Sequence, residues 1–412
     1  MPYAKIASKL REQIVRFSGG LSAGLPKVSR RLVTEMVYGI QARQSVRLTE
    51  VARALGEKIS LKKTHERLCW QLRKVWLGIK LTDALLRMGA ERIRELSLLV
   101  LDISDLSKKY AEKMEYMGKV RDGSEGVLAN GYWTLNVVGT EVGETGIIPL
   151  YSSLYSQQAP EFRSENPQME RAMDRVSVHT QKRGVWVLDQ GGDRRELLDF
   201  LLNRELRFII RARSERELIS DGEKISILDL ALSCPMMYAE RIVKEEQGQE
   251  RILRLEFGYR RVRLPRRKEA LFLVVVRGFG QEPLMLLTNL EIRRSRSSLW
   301  RVIESYLTRW RVEETIRFLK QSYRLEDIRL LTYTRLQNMM VLVTAVAYFA
   351  TVYLGLKTKL RVLARHVLRA ARRLFGIPDF RFYALADGIR EFFFSQRRDL
   401  QNLYSMFRTE SL

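Results

Sequence analysis

Three acidic residues in this sequence sit where carboxylates can do chemistry. LSLLVLDISD, residues 96–105, is a continuous apolar run that ends in acids, the pattern of a buried strand whose carboxyl end carries Asp102. GVWVLDQGGDRRELLDFLLNR, residues 184–204, reads as a strand, a Gly-rich turn and a helix, with Asp189 at the strand end. Acids at such ends line the edge where open α/β sheets build their sites. If the two strands are adjacent, Asp102 and Asp189 could share a hard divalent cation, which takes oxygen ligands. A third carboxylate would complete a two-metal site able to grip the attacking and leaving oxygens of a phosphodiester. An isolated strand-end acid serves a turn or a helix cap equally well. Asp189 directly precedes a Gly-Gly turn, Asp193 is expected to cap the following helix, and Asp105 is the alternative ligand to Asp102.

The third acid comes from YLTRWRVEETIRFLK, residues 306–320. Read as one helix at roughly 100° per residue, Tyr306, Arg309, Glu313 and Lys320 fall within about 60° of one another. Val312, Ile316 and Leu319 form an adjoining apolar stripe that would press the helix onto a sheet. Glu313 therefore borders the buried face among cations, and Glu314 points about 100° away.

The elements that must hold these residues follow from hydrophobic period and punctuation. Residues 1–92 read as helices broken at GGLSAGLP (19–26) and near Gly56, and RLTEVARALGEKISLKKTHERLCWQL (47–72) has the cadence of a helix-turn-helix. Residues 93–213 hold strands at 96–105, 132–141, 145–156, 185–188 and 206–213 with helices between them, a mixed α/β layer. Residues 214–295 are short, charged strands, a β-rich insertion carrying Arg251, Arg254, Arg260, Arg261, Arg263, Arg266, Arg267 and Lys268. Such arginine density favours phosphate contact over a merely solvated face. Helix returns over 296–356, and 357–412 ends the chain with a basic amphipathic stretch, KTKLRVLARHVLRAARRLFG (357–376).

Composition sets the class of partner. At 412 residues the chain should hold two or three domains, and its 72 Lys and Arg against 48 Asp and Glu leave a formal charge of +24. That excess points to a polyanion, nucleic acid above all. Cys69 and Cys234 are far apart and the three histidines are scattered, so no zinc site or disulfide framework is suggested and a reducing cytosol fits. No secretory signal is expected. MMVLVTAVAYFATVYLGL (339–356) has eighteen uncharged residues, the lower limit for a membrane span, but it stands alone and reads as a buried core helix.

Tyr306-x2-Arg309-x3-Glu313-x6-Lys320 resembles, without a gap, the signature of the insertion sequence 4 family of bacterial DDE transposases. LDIS around Asp102 and LDQGGDRREL around Asp189 are similar to that family's first and second blocks, and LLTNL resembles the end of its β insertion. The resemblance spans about 97–356 in order and spacing. One departure is Gly192-Asp193-Arg194, where the family often has an aromatic after the second block's Gly.

The resemblance implies a ribonuclease H-like mixed sheet core with a β-rich insertion, flanked by all-α N-terminal and C-terminal regions. It implies a cut-and-paste enzyme in which Asp102, Asp189 and Glu313 hold two Mg²⁺ or Mn²⁺ ions. Water would cut one strand at the element's terminal inverted repeats. The freed 3′-OH would form a hairpin before hydrolysis and joining to target DNA. Arg309 and Lys320 would grip terminal phosphates with help from Tyr306, and Trp133, Trp300 or Trp310 would trap a flipped base. The implied partners are double-stranded DNA and a second copy in the DNA complex, with residues 1–92 touching DNA and the helices after 357 forming the dimer contact. No membrane and no small-molecule substrate are implied, and the setting would be a prokaryotic cytoplasm at the nucleoid. An inactive DNA-binding relative, or a nuclease that cuts without joining, would share much of this pattern.

Overall fold

The computed structural model describes residues 3–123, 125–246, 249–355, 365–368 and 381–395. The expected C-terminal contact helix at 357–376 lies almost wholly outside the described residues.

Five helices open the chain: α1 (Tyr3–Leu21), α2 (Lys27–Arg43), α3 (Leu48–Leu55), α4 (Leu61–Gln71) and α5 (Val75–Ala90). α3 ends on Gly56 in the left-handed region (φ 57°), and Ser60 caps α4 by accepting from the Lys63 N–H, so the turn between them is built as the sequence suggests. An ion network fixes α4 to α2. The fully buried Glu35 carboxylate accepts two bonds from Arg67 (2.7 and 3.1 Å) and one from Arg31 (2.7 Å), and both arginines also reach Glu57.

The sheet begins with β1 (Leu98–Ser107), β2 (Gly118–Arg121), β3 (Leu128–Thr140) and β4 (Ile147–Tyr155). β5 (Val185–Leu188) and β6 (Arg207–Arg211) follow, reached through α6 (Glu165–Thr180) and α7 (Arg195–Asn203). β3 is antiparallel to β1, β2 and β4, whereas β1, β5 and β6 are parallel neighbours. The order β4-β3-β1-β5-β6 is the ribonuclease H-like arrangement. Parallel neighbours require crossovers, and α6 and α7 supply the helical part of them.

Residues 214–295 do contain strands, and most of them extend this same sheet. β9 (Tyr238–Glu246), β10 (Gln249–Val262), β11 (Leu271–Arg277) and β12 (Leu284–Thr288) are joined to it because β12 pairs antiparallel with β6, giving ten strands in one sheet. Only the hairpin of β7 (Glu217–Ser220) and β8 (Glu223–Ser226), which precedes α8 (Ile227–Leu232), stands apart as its own two-stranded sheet.

One face of the sheet packs against α6, α7 and α8, and the other against α9 (Arg296–Leu307) and α10 (Trp310–Ser322). The apolar run at 339–356 supplies most of α11 (Tyr333–Thr351), which packs against β4, α2 and α5. Its length and hydropathy would allow a membrane crossing, but 83% of its apolar window is buried inside the molecule. Asn338 ties it to α5, accepting from the Gly78 N–H at 2.8 Å and donating to the carbonyls of Leu72 and Lys74. Gly78 is needed there, since a Cβ would lie 2.6 Å from the Asn338 side-chain oxygen. The N-terminal helices share one continuous apolar core with α11 and α12 (Phe382–Ser395).

Candidate active site

Strand alternation sets the first two acids. Leu98 and Val100 of β1, and Val185 and Val187 of β5, belong to the cluster beneath α9 and α10. Asp102 and Asp189, two residues further along each strand, therefore turn to the same face. β1 pairs with β5 through Val100 and Val187, so extending that register by two residues sets Asp102 beside Asp189.

Asp102 is partly buried, and its carboxyl is pushed up to about 7. Burial is the largest cause; the charge of Asp189 comes next, Arg309 opposes it, and Glu313 adds to it. Asp102 thus feels the other two acids and the signature arginine from three separate elements, β5, α10 and the turn before α10.

Asp189 serves its turn as well. Its Oδ1 accepts the Gly191 N–H at 2.9 Å, starting a 3-10 turn over Gln190–Gly192. A Cβ on Gly192 would lie 2.6 Å from that of Leu188, so only glycine fits the tight return after the acid. Asp193, expected as a helix cap, is instead buried. It pairs with Arg216 at 2.5 Å and accepts the Arg213 N–H at 2.7 Å, while Arg194 occupies the N-cap position of α7 without a capping side-chain bond.

The signature stretch is not one helix. α9 ends at Leu307 and α10 begins at Trp310. The Thr308 hydroxyl bonds the Glu304 carbonyl at 2.8 Å, and the N–H groups of Arg309, Arg311 and Val312 turn to carbonyls three residues back. Back-bonding by Thr and a 3-10 step are recognised causes of a helix bend. Tyr306 thus closes one helix while Arg309, Glu313 and Lys320 belong to the start and body of the next.

Their surroundings differ accordingly. Tyr306 is 6% exposed and lies in the apolar cluster with Ile303, Val312 and Ile316. Arg309 is 8% exposed, near the rings of Tyr306 and Trp310, and bonds Glu313 at 2.8 Å, leaving its buried Nε unbonded. Glu314 pairs with Arg317 away from the site, in keeping with its separate direction. Lys320 is held between Asp105 at 3.1 Å and Glu326 at 3.5 Å. Asp105 also accepts the Gly123 N–H at 3.3 Å, so it serves as the partner of Lys320 in this structure. This pairing joins residues 215 positions apart, and no local pattern in the sequence could have disclosed it.

Trp310 is 62% exposed beside Arg309, whereas Trp300 packs on Phe257 and Trp133 is half-buried. The arginine run divides. Following the pairings, Arg261 stands level with Phe272, Thr288, Ile209 and Val187, and Arg263 is bridged to Ile219 of β7, whereas Arg266 and Arg267 line one open cavity with Asp189. Arg261, Arg263, Arg266 and Lys268 are exposed. Arg260 donates to Ser233, and Arg267 is paired with Asp199 and Glu269. The side chain of Arg251 lies outside the described residues.

Among the described residues, no three His, Cys, Asp or Glu side chains lie close enough together to hold one metal ion as they stand. The donor set still fits a hard divalent cation in type and charge: three carboxylates, one of them with its proton affinity raised by desolvation and by the charges of the other two. Glu313 is turned to Arg309, and Asp189 to its own turn.

Residues 147–350 match the family model described as transposase DDE domain, a span that contains Asp189 and Glu313 and begins after Asp102. No curated protein matches the chain. Among solved structures, a cryo-EM structure of the piggyBac transposase synaptic complex with hairpin DNA aligns at a TM-score of 0.44 and 12% identity, covering 98% of this chain and 82% of that one.

Proposed function

We propose that this chain, whose residues 147–350 match the transposase DDE domain model, is a cut-and-paste DNA transposase of the insertion sequence 4 kind. It binds the terminal inverted repeats of its element as a homodimer, cleaves the ends through a hairpin, and joins them to double-stranded target DNA. The observation that carries this reading is geometric: Asp102 and Asp189 stand in register on adjacent strands, on the face against which α10 packs with Glu313 and Arg309.

Asp102, Asp189 and Glu313 would hold two Mg²⁺ or Mn²⁺ ions. These ions, when bound, neutralise charge at the scissile phosphorus and lower the proton affinity of the attacking oxygen. The chain's own contribution is placement. β1 and β5 set two carboxylates in register, the Gly191 N–H orients Asp189, and Arg309 orients Glu313. In-line displacement at phosphorus needs little else than such positioning and charge compensation. Arg309 and Lys320 grip terminal phosphates by exchanging their present carboxylate partners for DNA. Buried Tyr306 supports Arg309, and exposed Trp310 offers a face on which an extruded base can stack.

The experiment is cleavage and joining of DNA bearing the repeats that flank the gene, with Mg²⁺ or Mn²⁺. Asp102→Asn, Asp189→Asn and Glu313→Gln should each reduce cleavage at least about a hundredfold while DNA binding persists. Cleavage surviving in all three would sink the assignment, and cutting with no joined product would make the protein a nuclease only.

A further inference from the structure

We infer that Arg211 binds a backbone phosphate of the DNA strand held at the acid edge, next to the phosphate that is cut. This rests on the transposase reading only in taking that edge as the place where DNA lies. Pairing of β5 with β6 ends at Leu188 and Ile210, so the following residues, Asp189 and Arg211, stand side by side. Ile209 lies in the cluster beneath α9 and α10 with Val187 and Val100, and alternation puts Arg211 on the face of Asp189 and Asp102. At a strand spacing of about 4.8 Å, the three residues form a row roughly 10 Å long.

The state of Arg211 distinguishes it from its neighbours. Arg309 is buried and tied to Glu313, Lys320 is held by Asp105 and Glu326, Arg216 by Asp193, and Arg213 leans on the Gln190 carbonyl. Arg211 is exposed and has no hydrogen-bond or ion-pair partner among the described residues. The nearest acid, Asp189, spends one oxygen on its own turn and is the residue that would hold a cation. A guanidinium presents a planar fork of donors that matches phosphate oxygens in pairs. Placed one strand beyond the acids, it meets a strand whose scissile phosphate sits over Asp102 and Asp189.

Binding of a short DNA duplex of arbitrary sequence to the full chain, followed by fluorescence anisotropy over a range of KCl in EDTA, tests this without requiring cleavage. Arg211→Ala should lower the slope of log affinity against log salt by about 0.9 and weaken binding up to about tenfold, with Arg211→Lys retaining the slope. Thermal melting should be the same for all three proteins, because the side chain is exposed and unpartnered. An unchanged slope and affinity in Arg211→Ala overturns the inference, as does a weakening that Lys does not recover. If Asp189→Asn still cleaves element ends, the catalytic reading falls, while the salt slope continues to decide the role of Arg211.

Discussion

Asp102 and Glu313 should respond to substitution in opposite directions, since one is held in unfavourable company and the other in favourable company. The Asp102 carboxyl is raised to about 7 in the fold, first by burial and then by Asp189, against about 3.9 in an unfolded chain. A folded pKa above the unfolded one means that the native state holds the proton more tightly. The resulting contribution to stability is complete below about pH 4 and is lost as pH rises through about 7, on the order of 3–4 kcal/mol over that window. Asp102→Asn should therefore melt higher than the parent at pH 8 in EDTA and no higher at pH 4. Mg²⁺ should raise the melting temperature of the parent at pH 8 more than that of the variant. A lower melting point for Asp102→Asn at pH 8 would contradict the crowding of the three acids. Glu313→Gln instead takes the carboxylate from a largely buried guanidinium, and should lower stability by about 1–3 kcal/mol in urea melts at any pH between 5 and 8. At this scale the strand-end positions of Asp102 and Asp189 were legible, because the alternation of a strand is a local property. The tension around Asp102 was not, because it depends on how closely α10 and β5 approach β1.

Elements were legible where period and punctuation agreed. The apolar alternation beneath α9 and α10 and the Gly56 turn between α3 and α4 follow from local rules. The bend at Thr308 escaped because Thr fits a helical pattern, and the choice of its hydroxyl to bond the Glu304 carbonyl is invisible in residue spacing. The buried network that fixes α4 also escaped, since Glu35 and Arg67 belong to separate helices. The apolar run of α11 reaches the length of a membrane span but stands alone and reads as a core helix, and its packing against β4, α2 and α5 agrees. Arg67→Met tests the network. Glu35 would keep Arg31 alone as a charged partner, and α4 should loosen at a cost of about 3 kcal/mol, measured by urea denaturation. If that variant matched the parent in stability, α4 would owe its position to apolar packing such as that of Leu68, and not to the ion pairs.

Over the whole molecule, the basic run reaches the acids only in part. The net charge of +24 announces a polyanion but not where it lies, because a sequence gives density along the chain and DNA meets density in space. Arg261 lies on β10, four strands from Asp189, and Arg263 follows it, whereas Arg266 and Arg267 line a cavity with Asp189. Four spacings of about 4.8 Å put Arg261 roughly 20 Å across the sheet from Asp189. Arg261 and Arg263 should act on DNA further along its path and leave the chemical step alone. The combined Arg261→Ala, Arg263→Ala variant should weaken duplex binding and lower the salt slope by up to about 1.8, at about 0.9 for each phosphate no longer neutralised. Its single-turnover cleavage at saturating DNA should match the parent. Arg309→Ala should show the converse, with the cleavage rate falling about a hundredfold and the salt slope falling by no more than about 0.9. If the double variant bound normally, that part of the run would be a solvated strand face, and the sheet would carry DNA only along its acid edge.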